Sequence, residues 1–150
     1  MNPFIYVLLF FAVYIFFQFI RFKLSRWEKI VEYFESVKRP EIPIYGYWSE
    51  FRISTKSYPL GNTFLKLAPT NSGLYLQYDL KFEPIKFYKP ILIPWNNLII
   101  AQTKESISKG GDEYRIQKNG EYLGSIFLQT PISEQIKSKI NELGIQINFV

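Results

Sequence analysis

The residues closest to a catalytic arrangement are Ser106-Ile107-Ser108-Lys109, directly ahead of Gly110-Gly111. A lysine amine can act as the base for a serine nucleophile, and this chemistry stays open to a chain with no histidine and no cysteine. The same absence removes Ser-His and Cys-His pairs, thiolate nucleophiles, disulfides and Cys/His zinc sites. Acid–base catalysis would need paired carboxylates. Asp79 is expected on the polar face of a strand and Asp112 in a loop after the glycines, both solvated. A polar loop accounts for Ser106 to Lys109 more simply than a nucleophile does. The glycine pair lacks the Lys-Ser/Thr of a phosphate loop, so neither catalysis nor a cofactor is expected.

Binding chemistry is the alternative. Lys81, Lys86 and Lys89 interleave with Phe82, Phe87 and Tyr88, a pattern that can meet an anionic bilayer or stack on single-stranded nucleic acid. The net charge of +5, from 18 basic and 13 acidic residues, is too small to mark a nucleic-acid surface unless it clusters. The cations that do cluster are Arg21, Lys23 and Arg26, immediately after a stretch from Met1 to Ile20 without a single charge. Nucleic acid is therefore not expected as a partner, and a membrane is.

The elements that must position these groups begin with that apolar stretch. Pro3 to Ile20, PFIYVLLFFAVYIFFQFI, contains one polar amide, Gln18, and a spanning helix needs about 17–25 apolar residues. A cleaved signal would carry a basic n-region and a small-residue cleavage site; this segment has neither, so a retained anchor is expected. Lysine and arginine favour the cytoplasmic side. The expected topology is a single pass with the N-terminus outside and the rest of the chain in the cytoplasm.

From Leu24 to Val37 the apolar residues Leu24, Trp27, Ile30, Val31, Phe34 and Val37 recur at helical spacing. Ser25 and Glu28 fit a capping box. Trp27 could sit at headgroup level or pack on the domain that follows. Packing is favoured, because Glu28, Glu32 and Glu35 would meet anionic lipid unfavourably. Pro40 and Pro43 then bound a short stiff connection.

Beyond Pro43 the period changes from helical to alternating. Leu74 to Phe82 alternates cleanly, with Leu74, Leu76, Tyr78, Leu80 and Phe82 on one face and Tyr75, Gln77, Asp79 and Lys81 on the other, as in a half-buried strand. Tyr45 to Ser54 and Thr63 to Ala68 have strand composition. Asn119-Gly120 between Glu113–Lys118 and Glu121–Gln129 predicts a type I′ hairpin. Pro94 breaks the run from Ile91 to Ala101 into an edge or a bend. Pro131 to Leu143 places Ile132, Ile136, Ile140 and Leu143 on one stripe of a final helix, stopped by Gly144. The expected fold is mainly β (α+β): a bent antiparallel sheet or partly open barrel of six to seven strands, capped by a C-terminal helix.

Gly73-Leu74-Tyr75-Leu76, the strand entry Ile93-Pro94-Trp95-Asn96-Asn97-Leu98 and the closing helix together resemble the pleckstrin-homology-like superfold, and within it the GRAM-type domains. The stretch Phe82 to Leu98 is similar to one found in uncharacterised small membrane-anchored bacterial proteins. The resemblance implies a binding scaffold for lipids or proteins rather than an enzyme. The loop by which many relatives hold phosphoinositides is poorly matched here, where Ser54-Thr55-Lys56-Ser57-Tyr58 offers one lysine.

The expected organisation is a transmembrane anchor in residues 1–22, an amphipathic juxtamembrane helix and linker in 23–40, and a pleckstrin-homology-like β domain in 41–150, with the fragment from Arg39 onward folding alone. The expected function is a non-catalytic binding module whose partner is a protein or an anionic lipid headgroup, with Arg21, Lys23, Arg26, Trp27, Lys81, Lys86 and Lys89 as candidate contacts. A tethered hydrolase using the Ser-Lys pair, or a subunit of a larger membrane complex, are the alternatives.

Overall fold

The computed structural model describes residues 3–25, 27–36, 38–41, 45–52, 62–78 and 88–149. The chain starts as a long helix α1 (Pro3–Ser25), whose apolar side chains from Phe4 to Phe19 are exposed on nearly every side. Such a surface is costly in water and suits lipid, since a helix apolar all round has no face to turn to solvent. Pro3–Ile20 is long and apolar enough to cross a membrane.

A short helix α2 (Trp27–Phe34) follows. Its apolar stripe is buried as the spacing predicts: Trp27 and Ile30 are fully enclosed and Phe34 nearly so. The expected capping box depends on the Ser25 side chain, which lies outside the described residues. Ser25 is the last residue of α1, and the Glu28 carboxylate is held by Lys23 Nζ at 2.6 Å.

Among the described residues eight strands follow: β1 (Tyr45–Arg52), β2 (Asn62–Pro69), β3 (Gly73–Tyr78), β4 (Ile91–Pro94), β5 (Leu98–Ala101), β6 (Gly111–Lys118), β7 (Glu121–Gln129) and β8 (Asn148–Phe149). The hydrogen-bonded order is β4-β3-β2-β1-β7-β6-β5-β8. All neighbours are antiparallel except β5 and β8. β1 is shared between two groups, because Tyr45 to Glu50 pair with β2 while Glu50 to Arg52 pair with β7. One group is β1 to β4, the other β5 to β7, and among the described residues the order runs from β4 to β8 without closing into a barrel. The expected six to seven strands become eight through the two-residue β8, too short to carry a periodicity of its own.

Local chemistry explains the joints. Asn119 and Gly120 have φ of 53° and 81°, the two positive values a type I′ turn needs. Pro94 closes β4, and a 3-10 turn (Trp95–Asn97) carries the chain from one strand group to the other, the bend expected there. Trp95 is buried and donates its indole N–H to the Thr70 carbonyl at 3.1 Å, tying the bend to the β2–β3 turn. Gly73 is obligatory for space: a β-carbon there would stand 2.2 Å from the Ile93 carbonyl oxygen of β4. Gly73→Ala is expected to cost about 1–3 kcal/mol, because two backbones must move apart; a lowered denaturant midpoint with an unchanged slope would show it.

The stretch from Ser106 to Lys109 is not the loop expected from its polarity. It forms a short helix α3 (Lys104–Ser108) with a reciprocal cap, in which Thr103 Oγ1 accepts from Ser106 N–H and Ser106 Oγ accepts from Thr103 N–H. A last helix α4 (Thr130–Glu142) buries Ile136 and Ile140, with Ile132 and Leu143 packed beside them. Gly144, at φ 64°, ends it, and Ile145 N–H reaches back to the Ile140 carbonyl at 3.2 Å.

One core draws on every part: Leu65, Leu76 and Ile93 from the first strand group, Ile100, Tyr114 and Ile126 from the second, Ile136 from α4, and Trp27, Ile30 and Phe34 from α2. Phe22, from the last turns of α1, belongs to it as well. The boundary expected at residue 41 therefore does not coincide with the edge of the core, which reaches back to Phe22.

Candidate functional site

Of the cations and aromatics singled out in the sequence, Lys23, Lys89, Trp27 and Tyr88 come together where α1 meets the domain. Tyr78 closes β3 and Tyr88 precedes β4, and their rings stack at 4.2 Å between centroids. Trp27 meets both edge-on, at 5.4 and 5.9 Å, and Phe22 meets Tyr88 edge-on at 5.1 Å. Edge-on and stacked pairs of this kind each add about 0.5–1.5 kcal/mol beyond the area they bury. Trp27 also donates its indole N–H to the Lys89 carbonyl at 2.9 Å.

Trp27 is thus a packing residue, not the lipid or partner contact suggested by its type and position. Helical periodicity identifies the apolar face but not what covers it.

Charge surrounds this aromatic knot. Lys23 pairs with Glu28 at 2.6 Å and Lys89 with Glu35 at 2.7 Å, so two of the candidate cations are laid along α2. Lys29 reaches Glu121 at the start of β7 at 3.1 Å, and Lys118 Nζ lies 5.5 Å from the Phe34 ring centroid. On its other side α2 joins the sheet edge: Glu35 bridges Ile91, and Ser36 N–H donates to the Pro90 carbonyl at 3.0 Å. The helix is clamped between β4 and the β6–β7 hairpin. These ion pairs are exposed and each contributes about 0–1 kcal/mol, so Lys23 and Lys89 can exchange their carboxylates for headgroups at little cost. Arg26, Lys81 and Lys86 lie outside the described residues, as does the side chain of Arg21.

A second polar cluster was not expected at all. Asp112 is buried rather than solvated, because β6 begins two residues earlier than its composition suggests and Asp112 shares the inward face of Tyr114 and Ile116. Its carboxylate accepts from Ser133 Oγ, from Gln102 Nε2 at 3.1 Å and from Lys137 Nζ at 2.7 Å. Tyr114 Oη and Ser133 Oγ are 2.8 Å apart. Burial alone would raise the Asp112 pKa, but the hydrogen bonds from Lys137, Ser133 and Gln102 outweigh it and hold the acid below its ordinary value. For Lys137, burial works against the charge, while Asp112 and Glu134 more than offset it and raise its pKa. Burial pushes the Tyr114 phenol well above its usual range. The cluster pins α4 to β6, a structural task that keeps the carboxylate charged.

The Ser-Lys stretch is engaged in capping and pairing. Ser106 Oγ donates to the Thr103 carbonyl at 2.9 Å, Ser108 Oγ to the Glu105 carbonyl at 2.8 Å, and Lys109 pairs with Glu105 at 2.8 Å. The depression beside Ser106 and Lys109 measures about 30 Å³, the space of roughly one water. Among the described residues, no three acidic side chains converge as a metal site would require.

No protein-family model matches the chain, and no curated protein matches it either.

Proposed function

We propose that this chain is a membrane-anchored, non-catalytic interaction module, which holds a pleckstrin-homology-like domain against the cytoplasmic face of a membrane for a protein or headgroup partner. The observation that carries this reading is the place of Phe22 and Trp27: the last turns of the apolar helix and the helix after it are part of the domain's core. An anchor joined by a flexible linker would let the domain roam, whereas one built into the core fixes which surfaces face the bilayer. The scaffold assignment draws on the Gly73–Leu76 and Ile93–Leu98 stretches and on an order in which antiparallel strands are followed by the closing helix α4. The orientation rests on Arg21, Lys23 and Arg26 lying just past the span.

The non-catalytic reading draws on the engagement of Ser106, Ser108 and Lys109 in capping and pairing, and on the locking of Asp112 by Lys137. Chemical crosslinking of the full chain in its native membrane, followed by mass spectrometry, tests it. One protein or lipid species captured reproducibly, with no hydrolytic turnover by the purified chain, is the expected result. Turnover that Lys109→Ala abolishes without changing the unfolding midpoint would replace this reading with a Ser-Lys enzyme.

A further inference from the structure

The linker after α2 runs beside β3, and Lys38 to Glu41 border one groove with Ser72 and Tyr75. Tyr75, which alternation places on the polar side of a half-buried strand, is only 2% exposed. Between this linker, the β2–β3 turn and the C-terminal part of α4 lies an open groove of about 480 Å³, within the usual size of ligand clefts, roughly 300–1,000 Å³. Lys38, Arg39 and Lys139 line it against one carboxylate, Glu41, and Leu92 and Tyr75 supply an apolar floor. Lys38 and Arg39 are exposed, and neither makes an ion pair among the described residues. Lys139 pairs with Glu142 at 2.9 Å across solvent, a contact that an incoming carboxylate can replace.

The groove lies at the Gly73 end of β3, while the anchor meets the Tyr78 end. At the usual rise per residue, about 10 Å of strand separates Tyr75 in the groove from Tyr78 at the junction. Glu28, Glu32 and Glu35 line the cleft beside Phe22, with Lys89 as its one cation among the described residues.

We infer that this groove binds an acidic, extended segment of a protein partner, with Lys38, Arg39 and Lys139 taking its carboxylates and Tyr75 and Leu92 its apolar side chains. The inference rests on the interaction-module reading and names the surface and ligand class for it. Charge complementarity selects the occupant, and the mixed cationic and apolar lining favours a peptide over a bare anion.

The test uses the full chain in nanodiscs of zwitterionic lipid and a fluorescent oligoglutamate peptide, read by anisotropy at two salt concentrations. Binding that weakens with salt is expected. Lys38→Glu with Arg39→Glu should weaken it by about tenfold or more, and Lys139→Glu should do the same from the α4 side. Lys38 and Arg39 are exposed, so the unfolding midpoint of their double variant should stay put, and Lys139, a quarter exposed and paired with Glu142, is read beside its own midpoint. Lys104→Glu, exposed on α3, should leave binding unchanged. Equal binding by the groove variants, or equal loss in Lys104→Glu, overturns the groove, as does loss of binding to phosphatidylserine vesicles with peptide binding intact. Crosslinking separates this failure from failure of the module reading: a partner still captured by the groove variants docks elsewhere, whereas no partner captured by the wild-type chain removes the module itself.

Discussion

Trp27→Ala is expected to destabilise the domain by about 4 kcal/mol, in the range for a large aromatic deleted from a packed core. The indole is fully enclosed, meets Tyr78 and Tyr88 edge-on and satisfies the Lys89 carbonyl. Alanine leaves a cavity and a carbonyl that has lost its donor. A helix of eight residues has little stability of its own, since isolated helices below about 12–15 residues are marginal in water. Without Trp27, α2 should therefore come away from the sheet, and Lys29 should become a trypsin site while α1 stays in the bilayer. Pulse proteolysis in urea measures the first effect and mapping of the cleavage product the second. By the same reasoning a fragment beginning at Arg39 lacks Phe22, Trp27, Ile30 and Phe34, all core residues, and is not expected to fold alone as the sequence suggested.

Asp112→Asn is expected to cost about 3 kcal/mol near neutral pH, the usual penalty for removing one member of a buried, hydrogen-bonded pair. The side chain keeps its size, but its amide cannot accept from Lys137, Ser133 and Gln102 at once. The effect carries a pH signature. The folded-state pKa of Asp112 lies below the ordinary 3.8, so its contribution is full above that value and is lost as pH falls through the lower, folded one. Lys137 has a folded pKa above the ordinary 10.5, so its share is full below that value and is lost as pH rises past the folded one. The wild-type chain should lose part of its stability on acidification below about pH 4, and Asp112→Asn should lack that part of the acid limb. Urea midpoints across pH for the two proteins measure this, and parallel curves would remove Asp112 from the account.

The parts of the fold legible in the sequence are those fixed by local chemistry. Asn119-Gly120 carries its own backbone preference, Gly144 stops α4 where the stripe of Ile132, Ile136, Ile140 and Leu143 runs out, and Pro94 bends the chain where it removes a ladder donor. The span from Pro3 to Ile20 announces itself by composition.

What sequence spacing missed depends on residues far along the chain. Tyr75 looks solvent-facing by alternation, yet it is buried beside the groove that Lys38 and Arg39 line. Asp112 looks solvated because the glycines before it suggest a loop. Yet Gly111 is already in β6, where a β-carbon would stand 2.2 Å from the Leu128 carbonyl oxygen. Extending the alternation of Tyr114 and Ile116 back by one step would have put Asp112 inside. Only α4, with Ser133 and Lys137 one helical turn apart, explains why a carboxylate is tolerated there. Ser106 misleads for a related reason, since capping and catalysis draw on the same hydroxyl.

α2 belongs to the core, and on the proposed reading it thereby binds the domain rigidly to a membrane anchor. Hydrogen–deuterium exchange of the full chain in lipid nanodiscs tests this most directly, through the amides of Ile30 to Phe34 set beside those of β3 and β6. Protection of these amides matching that of the strands, and lost together with it in urea, is the result predicted here. Exchange at the rate of a frayed surface helix, with the strands still protected, would contradict it and return α2 to the role of a linker.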